Sequence, residues 1–146
     1  GDTDSMLQSK VENSLNNKLK VVFCIGENKE HKKNKKTFEV LENQIKHALN
    51  KKFNFKDIIV AYEPIWSIGT GQIPESEDLL KTTIFIKEVL KKIFKKQKSP
   101  VVLYGGSVDG KNISQFKKLN EIDGFLIGGA SKSDQNFIDI IKNYYR

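Results

Sequence analysis

The sequence predicts an α/β fold: four parallel strands in one sheet, flanked by helices. Three observations carry this. Four short apolar runs recur at 21–25, 57–62, 100–104 and 123–127, and each is continuous rather than alternating, as in strands buried on both faces. The stretches between them repeat their apolar residues at helical spacing. The order is one helix followed by four strand–helix units, the pattern of strands joined by helical crossovers.

Residues 4–17 read as a helix, with Met6, Leu7, Val11 and Leu15 on one face and Asp4 as its N-cap. The run 21–25 is the first strand, and Cys24 within it reads as a small core hydrophobe. Gly26-Glu27-Asn28 turns the chain. The basic run 29–36 reads as a solvated loop and helix start. Over 35–52 the period changes, and Phe38, Leu41, Ile45, Ala48 and Leu49 line one helical face. The second strand closes at Tyr62. Pro64 stops it, since proline lacks the ladder donor.

Pro74 opens the next helix, where its missing N–H costs nothing. Glu75, Glu77 and Asp78 suit the positive end of that helix. Leu79, Leu80, Ile86, Leu90, Ile93 and Phe94 form its apolar stripe, and lysines gather from Lys91 to Lys98. The third strand ends at Gly105-Gly106-Ser107, and a short helix over 111–119 follows. The fourth ends at Gly128-Gly129-Ala130-Ser131. A last helix, 133–144, is expected to carry Phe137, Ile138, Ile141 and Tyr144 inward. No linker interrupts this series, so residues 1–146 read as one domain.

A chain of 146 residues, 38% of them hydrophobic, is long and apolar enough to bury a sizeable core. The formal charge of +7 is spread over nearly every polar segment. No aromatic RNA-binding pattern or zinc spacing accompanies it, so no nucleic-acid partner is expected. A single cysteine excludes an internal disulfide and forms no metal cluster. No signal peptide and no membrane-length apolar run is evident. The expectation is a cytoplasmic chain with no membrane partner, metal or cofactor.

The unusual residues fall at one end of the strands. Ile58-Ile59-Val60 leads to a lone carboxylate, Glu63, at a strand tip. Ile65, Trp66 and Ile68 then read as exposed, and Gly69-Thr70-Gly71 supplies backbone freedom. An acid followed by an apolar, glycine-hinged loop suits a general base under a lid that expels water on closing. The competing reading is an ordinary strand-to-helix loop with a buried tryptophan. The glycine pairs after the third and fourth strands would lie on the same face in a parallel sheet. Backbone N–H groups there can approach an anion closely, so two such loops could hold one phosphate. Gly69-Thr70-Gly71 has neither the spacing nor the lysine of a P-loop.

Four ordered motifs carry a resemblance: Cys24-Ile25-Gly26-Glu27, the stretch from Ala61 to Gly71, Tyr104-Gly105-Gly106-Ser107-Val108, and Gly124-Phe125-Leu126-Ile127-Gly128-Gly129-Ala130-Ser131. Together they make the chain resemble the C-terminal part of the triosephosphate isomerase family. Gly1-Asp2-Thr3-Asp4-Ser5 is similar to the family's lead into its fourth helix. The resemblance implies about half of a (β/α)8 TIM barrel, strands five to eight. It implies that Glu63 moves a proton between the two carbons of a triose phosphate, a step of glycolysis and gluconeogenesis, with no cofactor. Pro64, Ile65 and Trp66 would be the leading hinge of the lid. Ser67, Ile68, Gly69 and Thr70 would form its tip, with Gly71 beyond. The N–H groups of Gly69, Ser107 and Gly129 would grip the phosphate, with Gly128 beside them. Tyr104 and Ser107 would latch the closed lid. This is the family's own chemistry, long used to illustrate a glutamate base under a closing loop, and not something these residues dictate.

Two departures stand out. Only Gln72-Ile73 separate Gly71 from Pro74, a shorter trailing hinge than in many members. The family's active-site lysine and electrophilic histidine have no counterpart, since neither His31 nor His47 stands in place. Losing one donor to a developing oxyanion costs about a hundred- to thousandfold in rate, so the chain alone is expected to be a poor enzyme. Four strands leave sheet edges that invite self-association or pairing with an N-terminal half. Two other readings compete: another sugar-phosphate barrel, and a non-catalytic half-barrel that binds phosphate or a complementary chain.

Overall fold

The computed structural model describes residues 3–146. Gly1 and Asp2 of the predicted lead-in lie outside the described residues. Four strands, β1 (Val21–Ile25), β2 (Ile58–Tyr62), β3 (Val101–Tyr104) and β4 (Gly124–Phe125), form one sheet in the order β1-β2-β3-β4 with every pair parallel. Each crossover therefore moves one strand over in the same direction. A doubly wound sheet would reverse its order part-way; a constant step is the arc of a barrel.

Helices cover one face. They are α1 (Asp4–Asn16), a short α2 (Lys29–Lys33), α3 (Thr37–Ala48), α4 (Ser76–Phe94) and α5 (Asp134–Tyr145). Against them pack Phe23, Ile25, Val60, Tyr62, Val102 and Tyr104, all buried. The strand residues of opposite parity face away from the helices. Of these, Val22 and Val101 are 46% and 45% exposed, and Cys24 is exposed as well. The expectation of strands buried on both faces thus holds fully on the helix side, while on the other side Ala61 is buried and Ile59 and Leu103 only half-buried. Cys24 is not a core residue, because strand side chains alternate between faces and its face is the open one.

Several boundaries and facings differ from the sequence expectations. The cap of α1 is Thr3, not Asp4: its Oγ1 accepts from the Met6 N–H at 3.4 Å. Val11 is buried on this helix while Met6 is exposed. The basic run folds as α2, and α3 starts two residues later than expected. In α3, Phe38 is exposed but stacks on Phe85, with ring centroids 4.4 Å apart. Helix α4 begins at Ser76, with Glu75 at its cap, so Pro74 stands just outside it. The helix expected over 111–119 is only a 3-10 turn, Ile113–Phe116. The fourth strand shrinks to Gly124–Phe125.

Helix α5 buries Ile140, whereas Phe137, Ile138 and Ile141 are exposed and Tyr144 is half-buried. Its stripe is too wide for the one surface it meets. Ile140 and Tyr144 pack on the core, the Tyr144 ring 5.5 Å from that of Phe125, while Phe137 and Ile141 line an open groove beside Ile113, Phe125 and Ile127. Among the described residues no helix is long and apolar enough to cross a membrane, and no cluster of three potential metal ligands occurs.

Candidate active site

The ladder continues one residue beyond the strands. The Glu63 N–H donates to the Ile25 carbonyl at 2.7 Å, and the Gly105 N–H to the Tyr62 carbonyl at 2.8 Å. Glu63 therefore stands between Gly26 and Gly105 in register. Both neighbours must lack a side chain. A Cβ at Gly26 would lie 1.9 Å from the Glu63 carbonyl oxygen, and one at Gly105 would lie 2.6 Å from Glu63 Cγ. The carboxylate leans over Gly105 on the open face of the sheet, the face that also carries the Cys24 thiol. Partial burial first, then the Glu63 carboxylate, push this thiol up to about 12.

The segment after Glu63 is a chain of turns. Gly69 and Gly71 take left-handed φ of +67° and +76°, which glycine adopts without strain. Ile65 and Ile68 are exposed, as read from the sequence, but Trp66 is half-buried and Ser67 fully buried. Trp66 is held by a residue that received no role above. Glu27 is a carboxylate only 1% exposed. It accepts from Trp66 Nε1–H at 2.8 Å and from the Tyr62 hydroxyl at 3.1 and 3.2 Å, and its carbonyl accepts the Ile65 N–H at 3.0 Å. Burial and the Glu27 charge raise the Tyr62 phenol well above its ordinary range. Lys32, paired with Asp78 at 2.9 Å, sits 5.7 Å over the Trp66 ring. The basic run is thus not wholly a solvated face.

On the neighbouring loop, Tyr104 Oη lies 3.1 Å from Ser67 Oγ, and the Ser107 N–H donates to that same oxygen at 3.2 Å. Burial raises the Tyr104 phenol, with the Ser67 bond working in the opposite direction. Gly128 and Gly129, after β4, are exposed, with open space where a Cβ would stand. Glu63, the Pro64–Gly71 segment, Ser107 and the Gly128-Gly129 pair therefore all follow the carboxyl ends of adjacent parallel strands, and Tyr104 is the last residue of β3. His31 lies in α2 and His47 on an exposed turn of α3, where its Nδ1 meets the Asn43 carbonyl oxygen at 2.7 Å. Neither is a strand-tip residue.

The family model described as triosephosphate isomerase matches residues 1–144. The chain belongs to the triosephosphate isomerase family. Three curated relatives named triosephosphate isomerase show how far the likeness extends. That of Chlamydia caviae is 38% identical over 145 residues, covering 98% of this chain and 57% of the relative. That of Dictyoglomus thermophilum is 37% identical over 146 residues, 97% and 59%. That of Neurospora crassa is 40% identical over 144 residues, 97% and 57%. The chain thus spans under three-fifths of the length of these triosephosphate isomerases. Four parallel strands stepping in one direction agree with half of the family's barrel.

Sequence reasoning passed over two residues of this site, Glu27 and Cys24. Both lie in a motif quoted for the family likeness. The available signal was the position of Glu27, a carboxylate two residues past a strand and beside the strand that ends in Glu63. Cys24 becomes legible only once register places it near the Glu63 carboxylate.

Proposed function

We propose that this chain is the part of a triosephosphate isomerase that supplies the proton-transferring base and the phosphate grip. Glu63 takes a proton from one carbon of the bound triose phosphate and returns it to the next, interconverting glyceraldehyde 3-phosphate and dihydroxyacetone phosphate. The N–H groups of Gly69, Ser107 and Gly129, with Gly128 alongside, hold the phosphate dianion. Pro64 to Gly71 close over it, with Tyr104 on the latch. The observation that carries this reading is the position of Glu63 between two glycines, at the same end of the sheet as the glycine loops that follow β3 and β4.

The enediolate formed on the way needs a charge partner on its oxygen. The family's lysine and histidine would come from a complementary N-terminal half seated against the open sheet face, so the isolated chain turns over poorly. A cytoplasmic location belongs to the same reading. The second reading, a half-barrel that binds without catalysing, is favoured by the exposed Val22 and Val101.

The test is complementation. The chain is co-expressed with the N-terminal half of the Chlamydia caviae relative, and glyceraldehyde 3-phosphate turnover is measured for wild type and Glu63→Gln. Activity in the complex, far above that of either part and abolished by the substitution, is the expected result. A stable complex that binds inorganic phosphate without turnover establishes the second reading instead.

A further inference from the structure

Ser67 differs from its neighbours in the lid. It is 0% exposed, between an Ile65 that is 59% and an Ile68 that is 48% exposed. Its hydroxyl has one proton and two lone pairs to place, and all three are taken. The proton goes to the Gln72 carbonyl oxygen at 2.5 Å, closing the lid segment on itself. That leaves Ser67 Oγ to accept from Tyr104 Oη–H at 3.1 Å and from the Ser107 N–H at 3.2 Å. The cluster is tight: a Cβ on Gly106 would lie 2.2 Å from Tyr104 Oη and 2.6 Å from Ser67 Oγ.

The Ser107 N–H is one of the donors assigned above to the phosphate, so this inference rests on that reading. One N–H cannot give a full hydrogen bond to two acceptors. We propose that Ser67 is a positioning residue that sets phosphate affinity: its hydroxyl occupies the Ser107 N–H in the unliganded site, and a phosphate-monoester oxygen must displace it. Binding is thereby coupled to a shift of the lid, because the displaced oxygen belongs to the lid itself. A competent state populated only in part lowers the apparent affinity by that fraction. An internal competitor is one way of setting the fraction.

The test uses the 15N-labelled chain, inorganic phosphate as the probe, and Ser67→Ala. Ser67→Cys, which keeps the volume and supplies only a weak acceptor, guards against loss of fold. Two measurements are made. Without ligand, the Ser107 amide is expected to exchange with solvent faster in both variants than in wild type. With ligand, phosphate is expected to bind the variants about three- to tenfold more tightly, the range of one net hydrogen bond released. A merely structural hydroxyl predicts the opposite sign, weaker binding from a loosened loop. Equal or weaker phosphate binding in the variants, or unchanged Ser107 exchange, overturns the inference. If both forms bind phosphate equally, the competition fails and the phosphate reading stands. If neither binds, both fall.

Discussion

Glu63 and Cys24 meet because strand residues two apart share a face and neighbouring parallel strands stay in register: Cys24 pairs with Ala61, two residues before Glu63. That contact can be read from the thiol. Partial burial and the Glu63 carboxylate both favour the neutral thiol, which pushes it up to about 12. In Glu63→Gln the burial persists while the charge disappears. The thiol must then ionise at lower pH than in wild type, though still above its ordinary value. A pH series of reaction rates with an aromatic disulfide reagent is expected to show its midpoint moving down in Glu63→Gln. An unchanged midpoint would mean that the thiol does not sense the carboxylate. Glu63 itself was legible from sequence, since a β-branched run, a lone acid and a proline leave few other arrangements. Cys24 was not, because a continuous apolar run does not say which of its faces the helices cover.

The elements show where local patterns suffice. The strands β1, β2 and β3 and the helices α1 and α4 lie close to their expected limits, because each combines a clear period with a clear stop. The 3-10 turn at Ile113–Phe116 and the two-residue β4 were overread. Ile113 and Phe116 are both buried at a spacing of three, which fits a 3-10 turn as well as a helix. One tie between elements was invisible in any window: Glu27 after β1 holds Tyr62 of β2 and Trp66 of the following loop across 35 and 39 positions. Glu27→Ala leaves both donors without their acceptor, and a buried polar group so orphaned costs about 1–3 kcal/mol. The variant is expected to lose at least that much in urea unfolding. Trp66 is the only tryptophan, so its emission should shift to the red before global unfolding. Retention of wild-type emission and stability would show that this tie does not hold the loop after Glu63.

At the scale of the whole molecule, the sheet is the point of tension. Its helix side is filled by Phe23, Val60, Val102 and their neighbours, while Val22 and Val101 stand open on the other side and β1 and β4 each leave an edge unpaired in the four-stranded sheet. Exposed parallel edges beside an apolar face favour pairing with another chain. The sequence predicted this from strand count alone, but which residues form the face followed only from the register. Val22 is the sharpest probe, because it lies on edge strand β1, faces away from the helices, and pairs in register with Ile59. A lysine there places charge on the open face without entering the helix-side core. Val22→Lys is therefore expected to change unfolding free energy by no more than about 0.5 kcal/mol, as surface substitutions do. It is also expected to weaken self-association, and pairing with an N-terminal half, markedly. Sedimentation velocity over a concentration series, run beside urea unfolding, separates the two effects. Association unchanged by Val22→Lys would mean that partners meet this chain elsewhere, and the open face would lose its proposed role in pairing.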